Sequence, residues 1–217
     1  MIDPEAGRAR MPTAQRAAGL RPGVSKSSFV PVDLPFGPQR KVMVNERVPT
    51  YEKIVSLSQL KVHSTATMTM AIKNIAMSFP AAGFYGYPRV SQERHPHNIL
   101  QDKHAFLVGM LMRFPIDLGI IAGHPAMIGK GPIGGKAVET GLVLAGRNAV
   151  AVASVGAYLL GFETLGVQYL RQAEQLGLGA TYMPTGQEGE GGSRKIEGMP
   201  VDEAVKVFRK AAYGQEF

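Results

Sequence analysis

The sequence of 217 residues contains no cysteine. A disulfide framework, a thiolate zinc site, a cysteine nucleophile and a cysteine-ligated iron–sulfur cluster are therefore all excluded. The absence of cysteine is compatible with the cytosol and with the exterior, so it does not decide the compartment.

Long hydrophobic runs are also missing. The most apolar stretch, residues 149–162, is shorter than the roughly 20 residues that a helix needs to cross a bilayer. The first thirty residues are polar and contain several arginines, without the apolar core of a secretory signal. We therefore expect a soluble protein with no membrane span and no signal peptide, and a cytoplasmic location is favoured.

The formal net charge is +7, but no run of five basic residues occurs. Aromatic residues do not alternate with the basic ones, whereas surfaces that bind nucleic acid usually combine a basic face with stacking aromatics. Nucleic-acid binding through the basic N-terminal segment is therefore the least favoured of the functions considered.

Two familiar catalytic or nucleotide-binding patterns are absent. The nucleophile elbow GxSxG of α/β-hydrolases does not occur. Residues 129–135 (GKGPIGG) lack the GxxxxGK(S/T) spacing of a phosphate-binding loop, and no GxGxxG stands at a predicted strand-to-helix turn. The backbone N–H groups of this segment can still contact an anion, although a plain tight connection is the simpler interpretation.

The composition is that of a globular domain, with 45% hydrophobic and 19% charged residues. We divide the chain into three parts: an N-terminal arm with short strands (residues 1–50), an α/β core (51–182), and a flexible linker followed by an amphipathic helix (183–217). The short strands of the arm are Ser28–Leu34 and Lys41–Asn45.

Strands and helices alternate in the core, which is typical of a mostly parallel sheet with flanking helices in a single domain. A polar turn is predicted at Lys61–Thr65 and a glycine-rich loop at Gly123–Gly135. The predicted strands are Lys53–Leu60, Leu118–Ala122 and Gly141–Ala145, and the predicted helices are Thr67–Met77, Ile99–Arg113, Asn148–Leu160, Thr164–Leu176 and Val201–Ala212.

All five histidines lie between residues 63 and 124. His95 and His97 are two residues apart in a predicted loop, and we group them with His63 and His104 as candidate ligands of one divalent metal ion, since imidazole suits several transition metals. The alternative is that these are ordinary histidines with ordinary hydrogen bonds.

Lys61 and His63 follow the first strand of the core, where a parallel sheet presents its ligand crevice. Lys73 and Asn74 lie on the next helix, near enough to meet them. Two lysines, an imidazole and an amide at one place can bind an anion or carry out acid–base catalysis. The alternative is a solvent-facing lysine and a histidine that caps a helix.

Three segments in this order, LKVHSTATMTMAIKN, GHPAMIGKGPIGG and LVLAGRNAVAVASVGAYLLG, resemble the family called domain of unknown function 362 (DUF362), over roughly residues 50–180. The resemblance implies no established reaction. Some family members carry a ferredoxin-like segment, which a chain without cysteine cannot use. The family motifs correspond here to Lys61, His63, Lys73, Asn74, Gly131, Pro132 and Gly135.

The chain departs from the family pattern at three aspartate positions, which hold Ala122, Asn148 and Ala153 here. Missing carboxylates remove ligands for hard cations and potential general bases. The usual N-terminal half is shortened to about fifty residues. We expect a divergent family member that binds a small anionic ligand or a metal in a crevice lined by lysine and histidine. The alternative is a non-catalytic relative that acts as a subunit or scaffold, in a homo-oligomer or with a partner.

Overall fold

The structure is a computed structural model that describes residues 29–81, 102–183 and 197–214. Within these residues the chain is a mixed α/β protein. Its elements, in chain order, are β1 (Phe29–Asp33), β2 (Lys41–Asn45), a 3₁₀ turn (Val48–Thr50), β3 (Val55–His63), β4 (Thr67–Thr69), α1 (Ala71–Ser78), α2 (Lys103–Arg113), β5 (Leu118–Lys130), β6 (Gly134–Val138), β7 (Val143–Gly146), α3 (Ala149–Leu159), a second 3₁₀ turn (Thr164–Gly166), α4 (Gln168–Gln175) and α5 (Val201–Tyr213).

The main sheet has the order β4-β3-β5-β6, and β7 pairs with the first half of β5. Only β3 and β5 run parallel, and the β3–β4, β5–β6 and β5–β7 pairs are antiparallel. The prediction of an α/β fold is confirmed, but the prediction of a mostly parallel sheet is wrong. The reason is that each of the two parallel strands continues into an antiparallel hairpin, β3 with β4 and β5 with β6, where the sequence pattern predicts a turn or a loop.

The glycine-rich segment Gly123–Gly135 forms one of these hairpins, between β5 and β6. β5 runs through it to Lys130 and returns as β6, so the predicted loop shrinks to residues 131–133. Glycines suggested a loop, but here they permit close backbone approach. A Cβ on Gly135 would lie 2.5 Å from the carbonyl oxygen of Ile128.

The predicted turn Lys61–Thr65 is likewise strand as far as His63, and the predicted helix Thr67–Met77 begins only at Ala71. Residues 67–69 pair with residues 61–63 as the short strand β4. Threonine at both ends of this segment favours a strand over a helix, because a β-branched side chain has few rotamers on a helix.

Helices α1 and α3 cover one face of the sheet. On that face Ser56 and Leu60 of β3 are buried, and a Cβ on Gly119 of β5 would touch both Ala71 and Val152. Asn148 caps the N-terminus of α3, as its side chain accepts a hydrogen bond from the Ala151 N–H. The connection between β1 and β2 packs against α2, and α5 packs against α3.

The opposite face of the sheet is open among the described residues. Val55, Leu57 and Val143 are 54%, 68% and 66% exposed there, in agreement with the period of two along their strands. No helix in the described part of the chain is long and apolar enough to cross a membrane.

Candidate anion-binding site

The end of β3 meets the tip of the β5–β6 hairpin. The Lys61 ammonium donates a hydrogen bond to the carbonyl oxygen of Pro132 over 3.3 Å, and the Ser64 N–H donates to the carbonyl oxygen of Gly131 over 3.3 Å. Gly131 is buried, and a Cβ there would collide with the carbonyl oxygen of Val62. The motif lysine thus contacts the motif proline, and the motif glycine lets the hairpin come this close to the end of β3.

Lys73 lies on α1 and is only 6% exposed. Burial, together with the positive charge of nearby Lys61, lowers the pKa of Lys73 to about 8. Among the described residues, no hydrogen bond or ion pair engages the Lys73 ammonium. The two lysines are therefore close enough for the charge of Lys61 to act on Lys73, and Lys73 is buried without a counter-charge from the described residues.

Thr69 adds a third polar group to this place. It is the cross-strand partner of Lys61, so the two side chains project from the same side of the β3–β4 pair. The Thr69 hydroxyl is buried and has no hydrogen-bond partner among the residues that the structure describes. A buried hydroxyl without a partner costs about 1–3 kcal/mol, and such a group is generally explained by a ligand, an ion or a water.

This arrangement is suited to a negatively charged group. An anion accepts hydrogen bonds from ammonium and hydroxyl groups, so each of the three side chains, Lys61, Lys73 and Thr69, is a possible donor to one. A cation would meet two ammonium groups, which do not ligate metals while protonated. At a pKa of about 8, Lys73 also has a neutral fraction near neutral pH, which a nucleophilic or basic amine requires.

His63 is 5% exposed and is held by its own turn. The backbone N–H of Thr65 donates to Nδ1 over 3.2 Å, and the Thr65 hydroxyl lies 3.2 Å from the same atom. Since a backbone N–H can only donate, Nδ1 is the acceptor and the neutral ring carries its proton on Nε2. His63 thus fixes the turn beside Lys61.

Asn74 lies beside the unpaired edge of β3. Its side-chain amide donates to the Ser56 hydroxyl over 3.2 Å and to the Leu57 carbonyl oxygen over 3.1 Å. Both donors of the amide are therefore engaged, and they cover part of an edge that no strand covers in the described chain. A role in chemistry stays a prediction, whereas a role in holding α1 to the sheet is visible.

The proposed metal ligands are placed only in part. His95 and His97 lie outside the described residues. His104 lies on α2, where its ring stacks on that of Tyr169, and burial lowers the pKa of His104. The described residues hold no group of three or more metal-ligating side chains, so this set stays a prediction.

Asn148 and Ala153, two of the positions where the family resemblance leads us to expect aspartate, have structural roles. Asn148 caps α3 and also donates to the Leu178 carbonyl oxygen over 3.2 Å, so the amide takes over a capping role that aspartate can fill. Ala153 is fully buried in α3. Neither position adds an acid to the lysine pair.

Sequence reasoning identified Lys61 and Lys73 but missed Thr69. Residues 67–69 were assigned to a helix, and on a helix Thr69 has no fixed relation to Lys61. Residues 61–69 (KVHSTATMT) place three residues on each side of the short polar segment Ser-Thr-Ala. This is the sequence signal of a hairpin, and a hairpin would have paired Lys61 with Thr69.

Comparison with known proteins gives one match. The family model described as "Domain of unknown function (DUF362)" matches residues 11–158, a span that begins within the segment assigned above to an arm. No curated protein and no solved structure matches the chain.

Proposed function

The chain belongs to the family described as domain of unknown function DUF362, and since this description names no activity, we propose from the site itself that the protein binds a small anion between Lys61 and Lys73. One observation carries the proposal. The Lys73 ammonium is 6% exposed, is close enough to Lys61 for repulsion to lower its pKa, and has no acidic partner among the described residues.

Such a pair is unfavourable in the free protein. Burial of an ammonium and repulsion from a second one both oppose folding, as the direction of the pKa change of Lys73 records. A bound anion reverses both effects, since it supplies the counter-charge and replaces the lost hydration. Perturbed groups of this kind cluster at functional sites.

The donors favour an oxyanion, which is the chemistry shared by carboxylates and phosphates. Two ammonium groups and one hydroxyl provide several hydrogen-bond donors. The carbonyl oxygens of Gly131 and Pro132 already accept hydrogen bonds from Ser64 and Lys61, respectively. A metal bound by histidine remains a separate proposal that rests on His63, His95, His97 and His104.

Isothermal titration calorimetry with inorganic phosphate and with acetate tests the proposal. We expect saturable binding of at least one of them at low ionic strength. Lys73→Met should weaken it by about tenfold or more, since a charge-assisted hydrogen bond contributes roughly 1.5–3 kcal/mol. Separate titrations with the two anions distinguish a phosphate site from a carboxylate site.

Lys130→Met is the matched control, because Lys130 is exposed at the end of β5 in the same hairpin. It removes the same charge without altering the lysine pair, so binding should change less than twofold in about 0.15 M salt. An equal loss in both variants would mean that only the overall positive charge attracts the anion.

A role as an assembly subunit is the second candidate, and the open sheet face favours it. The outward side chains on that face form a largely apolar surface that ends at Lys61 on β3, namely Val55, Leu57, Gln59, Leu118, Ile120, Ala122, Val143 and Ala145. We commit to a second copy of this chain as the occupant, because the apolar parts of two such faces can meet with the Lys61 side chains at the margin.

Light scattering on the purified protein tests this second candidate. We expect a dimer, and Leu57→Lys should convert it to a monomer. Leu176→Lys is the control, since Leu176 is an exposed leucine at the end of α4, away from this face. A wild-type monomer at every concentration would contradict the dimer.

A further inference from the structure

Strand β7 lies at an edge of the sheet beside a groove. Within the described chain it pairs only with β5, and its other edge faces a cavity of about 390 Å³ between β7, α3 and α5. All seven residues from Leu142 to Asn148 line this cavity, which means that the backbone edge of the strand forms one wall.

The hydrogen-bond register identifies the free backbone groups of that wall. The Gly123 N–H bonds to the Leu142 carbonyl oxygen, and the antiparallel register continues through Ile121 opposite Leu144. Because bonded and non-bonded positions alternate in an antiparallel pair, the N–H and C=O groups of Val143 and Ala145 point away from β5. These groups point toward the groove.

Apart from Arg147, Asn148, Tyr182 and Glu197, the rest of the groove is apolar and largely built by helices. Ala151, Val155 and Leu159 of α3 are spaced four residues apart on one helix face, and Val201 and Ala204 of α5 face them. Arg147 lies at the end of β7, is exposed, and forms no ion pair with the described residues.

We propose that this groove binds an extended apolar peptide, which adds a strand to β7 and sets an acidic side chain beside Arg147. The free N–H and C=O groups argue for a peptide backbone as the occupant, because they are spaced to pair with another strand and a purely apolar ligand leaves them unpaired. The four residues of β7 offer a pairing edge of about 13 Å. This proposal is independent of the lysine pair.

Fluorescence polarisation with a labelled acetyl-Val-Thr-Val-Thr-Val-Glu peptide tests it, with the full chain as the receptor. We expect saturable binding. The same peptide with its alternate amides N-methylated keeps the side chains but loses the pairing donors, and it should bind about tenfold more weakly or worse. Equal binding of both peptides would overturn strand addition, and so would no binding of either.

A variant tests the same point from the protein side. Ala145→Pro removes an N–H that points away from β5, so it should weaken peptide binding by about tenfold while circular dichroism and thermal unfolding still report a folded protein. Ala145→Val is the control, because it keeps the N–H and should bind as the wild type does. If Ala145→Pro binds the peptide as well as Ala145→Val does, the proposal is wrong.

Hydrogen exchange followed by NMR distinguishes a foreign peptide from occupation by this chain itself. In the free protein the amides of Val143 and Ala145 should exchange much faster than that of Leu144, which faces β5. Addition of the peptide should slow Val143 and Ala145 selectively. Slow exchange of both amides before any peptide is added would mean that the chain covers its own edge, and it would overturn the proposal.

Discussion

Lys61 lies directly opposite Thr69 in the β3–β4 pair, and the two therefore project from the same side of the hairpin. Lys73, one helical turn after the hairpin, has a pKa lowered by burial and by Lys61. Among the described residues the Thr69 hydroxyl has no hydrogen-bond partner, the Lys73 ammonium has no acidic partner, and the Lys61 ammonium is bonded to a carbonyl oxygen. The free-energy cost of burying the Lys73 ammonium and the Thr69 hydroxyl without these partners is the basis of the predictions on anion binding.

Replacement of Lys73 should stabilise the free protein. Lys73→Met keeps most of the side-chain volume and removes a charge that is unfavourable at pH 7, so the free energy of unfolding should rise by about 1–3 kcal/mol. Urea denaturation measures this change. Destabilisation by Lys73→Met would indicate that a negative partner already compensates the ammonium.

The pH dependence of stability should carry the signature of Lys73. The pKa is about 8 in the folded state and near 10.5 in the unfolded chain, so the folded protein loses this proton first as the pH rises. The penalty is complete below pH 8 and is relieved between pH 8 and 10.5, where stability relative to Lys73→Met should therefore increase with pH. Denaturation curves of both proteins at pH 7, 8, 9 and 10 measure the difference.

Thr69 should be needed for the ligand but not for the fold. Thr69→Val is nearly isosteric and removes an unpartnered buried hydroxyl, so the free protein should gain up to about 1–3 kcal/mol in stability. Phosphate or acetate affinity, measured by calorimetry, should fall. Thr69→Ser keeps the hydroxyl and is the control, and if it loses as much affinity as Thr69→Val then the hydroxyl makes no contact with the anion.

Gly131→Ala should disrupt the junction between β3 and the hairpin. A Cβ there would collide with the Val62 carbonyl oxygen, so the backbone must shift and stability should fall by roughly 1–3 kcal/mol, as for other overpacked positions. At Gly134 the nearest atom to a Cβ is 3.4 Å away, so thermal unfolding of Gly134→Ala should stay close to that of the wild type. Equal unfolding temperatures for the two variants would argue against close contact at Gly131.

His104 should make the protein less stable in mild acid. Burial lowers the pKa of His104 below 6.5 in the folded state, so the unfolded chain takes up a proton first as the pH falls. Stability should decline as the pH drops through 6.5 and level off below the folded pKa. His104→Phe preserves the stacking on Tyr169 and should lose this dependence in thermal unfolding curves at pH 5 to 7. A dependence unchanged in His104→Phe would assign it to another group.

The sequence predicted local structure well where one signal dominated. The pattern of Lys41–Asn45 and the apolar run at residues 149–159 both led to correct elements, since side-chain period and apolar content are local properties. Helix α5 was also predicted to within one residue at its C-terminus.

The sequence did not predict the two hairpins, for different physical reasons. In residues 123–135 the glycines allow close strand contact, and composition alone cannot distinguish that use from a loop. In residues 67–69 the strand exists through its pairing with residues 61–63, which is a tertiary effect on a three-residue segment. Of the residues in the proposed site, both lysines came from motif spacing, whereas Thr69 required the register.

The pKa of Lys73, followed by NMR through its side-chain 13Cε signal in the free and the phosphate-saturated protein, tests the central claim most directly. We expect a value near 8 in the free protein and a clear rise on binding, because an anion beside the ammonium stabilises its charged form. An ordinary value near 10.5 in the free protein, or a value that phosphate and acetate leave unchanged at saturation, would contradict the account.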